Sequence, residues 1–276
     1  QPMRLLHCAC GPTEISIPGA QRHDLPAIPT RKDLRFLDTA AKECLPVDPT
    51  PSLAEIQKNP AAPHLGDPQF APQQPEEPLR VIVSGSDAAL GAVLTRMMRG
   101  DYLWAEVAYL PTDVGSPAAV NWGADGDVAF ACEAPVIPAA CVRTDKGLVV
   151  AGSASIYCGD GSSEFIGEII VDSKTLLLRT GGRSRRRGLY GARLVPTMSA
   201  PGIAATTITT PLLRRGLARL LPAGQPDPTQ VLTGRAVQAG GESITLLIDA
   251  HAHPPTTSTT FYRHLRDIQS VRTVSL

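Results

Sequence analysis

The residue types most able to do chemistry sit in a few short turns. Ser84-Gly85-Ser86-Asp87-Ala88-Ala89 combines small residues with one carboxylate. Small side chains let an anion approach backbone N–H groups, and Asp87 is suited to hold a magnesium ion, act as a base or cap a helix. His251-Ala252-His253 puts two imidazoles on one face of a strand, a geometry that can hold zinc if a third ligand is supplied. Otherwise they are a solvated pair. His251 has the chemistry of a base near neutral pH. Cys8-Ala9-Cys10 lacks the two-residue gap and the distant second pair of a zinc site, so buried thiols are expected there. Arg183-Ser184-Arg185-Arg186-Arg187 is either a solvated turn or a contact for anionic lipid headgroups. No nucleophile elbow and no Gly-x-Gly-x-x-Gly fingerprint occurs.

Elements must position these turns. Leu79-Arg80-Val81-Ile82-Val83 is a β-branched run closed by Ser84-Gly85, which predicts a buried strand. Leu90, Val93, Leu94, Met97 and Met98 then follow helical spacing up to Gly100, with Ser86 or Asp87 as the cap. Leu103–Leu110 reads as the next strand, which completes a βαβ unit. The Ser84–Ala89 turn thus falls at the carboxyl end of a parallel strand, where open α/β sheets bind ligands.

Upstream, Arg4–Cys10 is expected as a strand, Asp33–Ala41 as a helix capped by Asp33, and Ser52–Lys58 as a short helix. Fourteen of the 26 prolines precede Leu79, and Leu45–Pro78 is expected to be an extended connection. Beyond Ala134 the segments Leu148–Ile156, Glu164–Val171, Lys174–Leu178, Gly191–Pro196, Gly202–Thr209, Val231–Val237 and Ser243–Ile248 predict an antiparallel β-rich domain, with one helix near Pro211–Leu221. The division expected is 1–78, an N-terminal segment with a proline-rich connection; 79–134, an α/β domain; and 135–276, a β-rich domain whose C-terminal segment has the option of packing back on the first.

The chain has 276 residues, and 26 basic residues balance 26 acidic ones. A neutral protein lacks the basic surface needed to displace counterions from phosphates, which argues against nucleic acid as a partner. No apolar run reaches the ~18–20 residues that span a bilayer, and residues 1–10 do not read as a signal peptide. Six scattered cysteines do not make a disulfide framework, and a cytoplasmic protein is expected.

Gly85-Ser86-Asp87-Ala88-Ala89-Leu90, between a strand and an amphipathic helix, resembles the Gly-Gly-Asp-Gly-Thr-Leu turn of the diacylglycerol kinase and NAD kinase superfamily. Val114-Gly115-Ser116-Pro117-Ala118-Ala119 occupies the place of that family's Pro-x-Gly-Thr-x-Asn-Asp loop. Ile248-Asp249-Ala250-His251 resembles the Asp-Gly-Glu segment of bacterial lipid kinases, and Thr260–Asp267 through Arg272 looks like the tail of actinobacterial members. The resemblance runs from Leu79 to the end. It implies two domains, an α/β nucleotide-binding-like one and an antiparallel β-sandwich, with ATP bound between them and magnesium at Asp87. It also implies phosphoryl transfer to a lipid hydroxyl, a role in phospholipid metabolism, and peripheral contact with the inner membrane face through Arg183, Arg185, Arg186 and Arg187. A homodimer is compatible with it.

By position, the resemblance makes Asp87, Asp249 and His251 the catalytic candidates. It makes Gly85, Ser86, Ala88, Ala89, Gly115 and Ser116 the nucleotide-binding ones. The departures are equally specific. Ser86 and Ala88 replace glycines, Ala89 replaces a threonine, Ala118-Ala119 replaces Asn-Asp, and His251 replaces the glutamate. Each loss removes a polar handle worth on the order of 1–3 kcal/mol where its partner is buried. The expectation is a lipid kinase with a weakened site; the alternative is a non-catalytic descendant that binds lipid, nucleotide or a protein partner.

Overall fold

The computed structural model describes residues 3–58, 66–180, 188–212 and 222–273. Two sheets organise the chain. The first has the order β2 (Gln21–Leu25), β1 (Arg4–Cys10), β3 (Leu79–Gly85), β4 (Glu106–Pro111), β15 (Ile268–Val271), β5 (Val136–Ala139). Its strands pair in parallel except for β15 with β5. β3 is buried along its whole length, as a central strand covered on both faces must be. Helix α3 (Asp87–Arg99) packs Leu90, Val93, Leu94, Met97 and Met98 into this core. β3, α3 and β4 therefore form the expected βαβ unit.

A boundary at residue 79 does not follow this sheet. β1 hydrogen-bonds β3 from Arg4↔Leu79 to Ala9↔Ser84, so the N-terminal segment supplies two strands of the α/β layer. Helix α1 (Arg35–Cys44) buries Leu37, Ala40, Ala41 and Cys44 in the same core. Asp33 does not cap α1. It accepts from the Thr30 N–H (2.8 Å) and hydroxyl (2.7 Å), closing the turn before the helix, and Leu34 holds the cap position. Helix α2 (Leu53–Lys58) starts from Ser52, whose backbone N–H donates to Glu55, a capping-box contact. At the other end of the chain, β15 inserts between β4 and β5.

The second sheet is antiparallel, with the order β12 (Leu232–Gly234), β11 (Ile203–Ile208), β10 (Gly191–Pro196), β7 (Ala154–Cys158), β13 (Ala236–Ile248), β14 (His251–Arg263), β6 (Val142–Thr144). β13 changes partner midway: residues 237–241 pair with β8 (Gly167–Val171), and residues 244–248 pair with β7. β8 and its neighbour β9 (Lys174–Arg179) share one hydrophobic core with β7, β10 and β11, built on Phe165, Ile169, Leu194, Ile203 and Phe261. Helices α4 (Pro117–Trp122) and α5 (Val128–Glu133) lie between β4 and β5 in the chain.

The segment expected as a strand over Leu148–Ile156 becomes one only at Ala154. Before it, the N–H groups of Ala151, Gly152 and Ser153 turn to the carboxylate of Asp249 rather than to a neighbouring strand. The helix expected near Pro211–Leu221 and the arginines at 183 and 185–187 lie largely or wholly outside the described residues. No described helix is long and apolar enough to cross a membrane.

Candidate functional site

The turn after β3 folds around Ser86, not Asp87. Ser86 is the N-cap of α3, and its hydroxyl accepts from the Ala89 N–H (3.3 Å). Capping by Ser86 leaves the Asp87 carboxylate to point out of its own helix. There it bridges to the next loop. Oδ1 accepts from the Tyr109 hydroxyl (2.9 Å) and the Ser116 hydroxyl (2.6 Å), and Oδ2 accepts from the Ala118 N–H (2.9 Å). Gly152 closes the remaining side, because a Cβ there would lie 2.5 Å from Oδ2.

The second loop has its own internal order. Asp113 accepts from the Gly115 N–H through Oδ1 (2.8 Å) and from the Ser116 N–H through its carbonyl (3.0 Å). Ser116 then caps α4, accepting from Ala119, while donating to Asp87. One hydroxyl thus ties the starts of two helices to one carboxylate.

The third acidic group arrives on the hairpin between β13 and β14. Asp249 and Ala250 form its two-residue turn with φ of 50° and 63°, the left-handed pair that suits tight hairpins. The Asp249 carboxylate is buried and accepts from the N–H groups of Ala151 (2.9 Å), Gly152 (2.7 Å) and Ser153 (3.0 Å). Burial pushes its pKa up to about 7, and the charge of Asp87 adds to this, although the three N–H donors pull the other way.

A cleft of about 470 Å³ lies between these turns and the β-rich sheet. Ser86, Asp87, Gly115, Ser116 and Asp249 line it. The other residues singled out from the sequence lie elsewhere. Gly85 is buried at the end of β3 with φ 154°, where a Cβ would meet Cys10 at 2.9 Å, and its carbonyl accepts from Tyr109 and Thr112. Ala89 is buried and its N–H is used by the Ser86 cap. Ala88 and His251 face a different cleft, on the other side of Asp249.

His251 and His253 stack edge-on, with ring centroids 5.5 Å apart. Among the described residues no group of three or more His, Cys, Asp or Glu side chains is placed to hold a metal ion. All six cysteines are free thiols. Cys8 and Cys10 are buried, and burial pushes the Cys10 thiol up to about 12. Asp87 offers a magnesium ion little unused capacity, since Oδ1 accepts two hydrogen bonds and Oδ2 one.

Several lining groups escaped the sequence reading. Tyr109, Thr112 and Asp113 come from β4 and the loop after it, Ser153, Ser155 and Tyr157 from β7 and its approach, and Arg193 from β10. Arg193 forms no ion pair among the described residues, and its only hydrogen bond there is a long one to the Ser153 hydroxyl (3.4 Å). The Tyr109 phenol is raised by burial and by Asp87, and the Tyr157 phenol is raised by burial. The alternation of Ser153, Ser155 and Tyr157 was the available signal, since a two-residue period puts all three on one face.

The solved structures similar to this one include two from Bacillus anthracis str. Sterne. One, of a protein assigned as a diacylglycerol kinase, has 9% identity, a TM-score of 0.49, and covers 70% of this chain and 78% of that one. The other, of a diacylglycerol kinase, has 9% identity, a TM-score of 0.45 and the same coverages. An NAD kinase from Archaeoglobus fulgidus in complex with ATP has 11% identity, a TM-score of 0.43, and covers 68% of this chain and 76% of that one. No model of a known protein family and no curated protein matches the chain.

Proposed function

We propose that this chain binds a phosphate-bearing ligand, with ATP the first candidate, in the 470 Å³ cleft, and that it is a descendant of the diacylglycerol kinase plan with little or no phosphoryl transfer. The observation that carries the reading is the state of Asp87: both carboxylate oxygens are engaged by Tyr109, Ser116 and Ala118. Three donors take three of the roughly four lone-pair sites of that carboxylate, which lowers its capacity as a base or metal ligand until the two hydroxyls turn away. Binding is better supplied. The cleft falls in the size range of small-molecule sites, and Arg193 offers a cation without an acidic partner beside the hydroxyls of Ser153, Ser155 and Tyr157. Magnesium in this reading enters with the nucleotide, held mainly by its phosphates.

Isothermal titration with ATP and magnesium tests it. Micromolar binding that weakens at least tenfold in Arg193→Ala is expected, with no transfer of labelled phosphate to diacylglycerol in mixed micelles. Absence of binding up to millimolar ATP sinks the reading.

A second reading, a working lipid kinase, rests on Asp249, which lines the same cleft and whose raised pKa suits a general base, although three backbone N–H groups donate to its carboxylate. Turnover that disappears in Asp249→Asn would favour it. Contact of Arg183, Arg185, Arg186 and Arg187 with anionic membrane belongs to the same reading, and co-sedimentation with anionic vesicles tests it.

A further inference from the structure

The outer face of α3 builds a second cleft, of about 310 Å³, separate in chemistry from the first. Its surface is mostly apolar: Ala92 from the helix, Ile28 and Leu34 from the segment before α1, Leu148 and Val149 from the approach to β7, and Ile248 from the end of β13.

Three arginines and one carboxylate reach it. Arg96 is neutralised by Asp38, which takes its guanidinium through both oxygens. Arg99 donates to the carbonyls of Gly147 (3.0 Å) and Lys146 (2.9 Å), which fix its direction without cancelling its charge. Arg31 is exposed and makes no ion pair among the described residues. The one acid that reaches this cleft, Asp249, is turned to three backbone N–H groups. His251 and His253 complete the rim, and neither ring makes a hydrogen bond among the described residues.

We infer that this cleft binds a single-chain organic acid, its chain lying against Ile28, Leu34, Ala92 and Val149 and its carboxylate between Arg31 and Arg99, within reach of hydrogen bonds from the histidines. A neutral apolar ligand has no use for two uncompensated guanidinium groups, and a small inorganic anion has none for the apolar walls. A cavity of this size accommodates a chain of about eight carbons. The inference is independent of what the first cleft binds.

Isothermal titration of the full chain with octanoate, 1-octanol, octylammonium and octyl phosphate tests it. Octanoate is expected to bind at least tenfold more tightly than octanol, and octylammonium not at all. The double variant Arg31→Ala/Arg99→Ala should bring octanoate down to the affinity of octanol, and Ala92→Phe, which fills the cleft, should abolish both. ATP binding, if present, should change less than twofold in either variant. Equal affinities for octanoate and octanol, or octanoate binding unmoved by both variants, would overturn the proposal. Tighter binding of octyl phosphate than of octanoate would overturn the carboxylate assignment. Circular dichroism melting of each variant separates lost binding from lost fold, and the two arginine substitutions on the surface provide the arm least dependent on packing.

Discussion

Asp87 and Asp249 line one cleft, yet they are held in different ways. Asp87 is held by two side-chain hydroxyls and one backbone N–H; Asp249 is held by three backbone N–H groups in a row. Hydroxyls rotate, and a ligand can replace them at modest cost. Backbone donors on consecutive residues cannot turn away without remaking the chain path. The Asp249 region is therefore a fixed support that pins the β13–β14 hairpin to the approach of β7. The Asp87 region is the adaptable wall, the place where an incoming phosphate or hydroxyl can compete.

The comparison predicts an ordered series of losses. Asp249→Ala should cost about 3–5 kcal/mol of unfolding free energy, because it strands three buried N–H donors at once; urea denaturation checks it. Next comes pH. The folded-state pKa of Asp249, about 7, is above its ordinary value, so the folded state binds the extra proton. Stability should fall as pH rises from about 4 to about 7, by on the order of 4 kcal/mol, and level off above. Asp249→Asn should flatten that slope in melting curves taken across the range. Ser116→Ala removes the α4 cap and one Asp87 contact, and should cost about 1–2 kcal/mol. Tyr109→Phe should cost least, about 1 kcal/mol, since Ser116 still donates to the same oxygen. If Ser116→Ala proves as damaging as Asp249→Ala, the distinction between fixed and adaptable support fails.

Much of the α/β layer was legible because its signals are local. The β-branched run at Leu79–Val83 and the spacing of Leu90, Val93, Leu94, Met97 and Met98 can serve only a buried strand and a one-faced helix. The N-terminal strands were harder to assign. β1 was recognisable as a strand, but nothing near Arg4 says that its partner begins 75 residues later at Leu79. The strand expected from Leu148 was shortened by Asp249, nearly a hundred residues away, which takes the N–H groups a sheet would have used.

The candidate site divides in the same way. The sequence by itself determined that Ser86 or Asp87 would open α3, because capping chemistry is decided within four residues. Only the tertiary structure decided that Ser86 is the cap, and so that Asp87 is free to reach Ser116 and Ala118 across the loop. It also kept His251 out of the cleft that Asp87 lines, although Asp249, two residues earlier, reaches both clefts: Asp249 ends in the turn and points inward, while His251 starts the returning strand. Arg193 joined the site through strand pairing alone, β10 with β7. Partners chosen by long-range packing leave no mark at the residues themselves, since the energy that selects them comes from surfaces the chain brings together only when it folds.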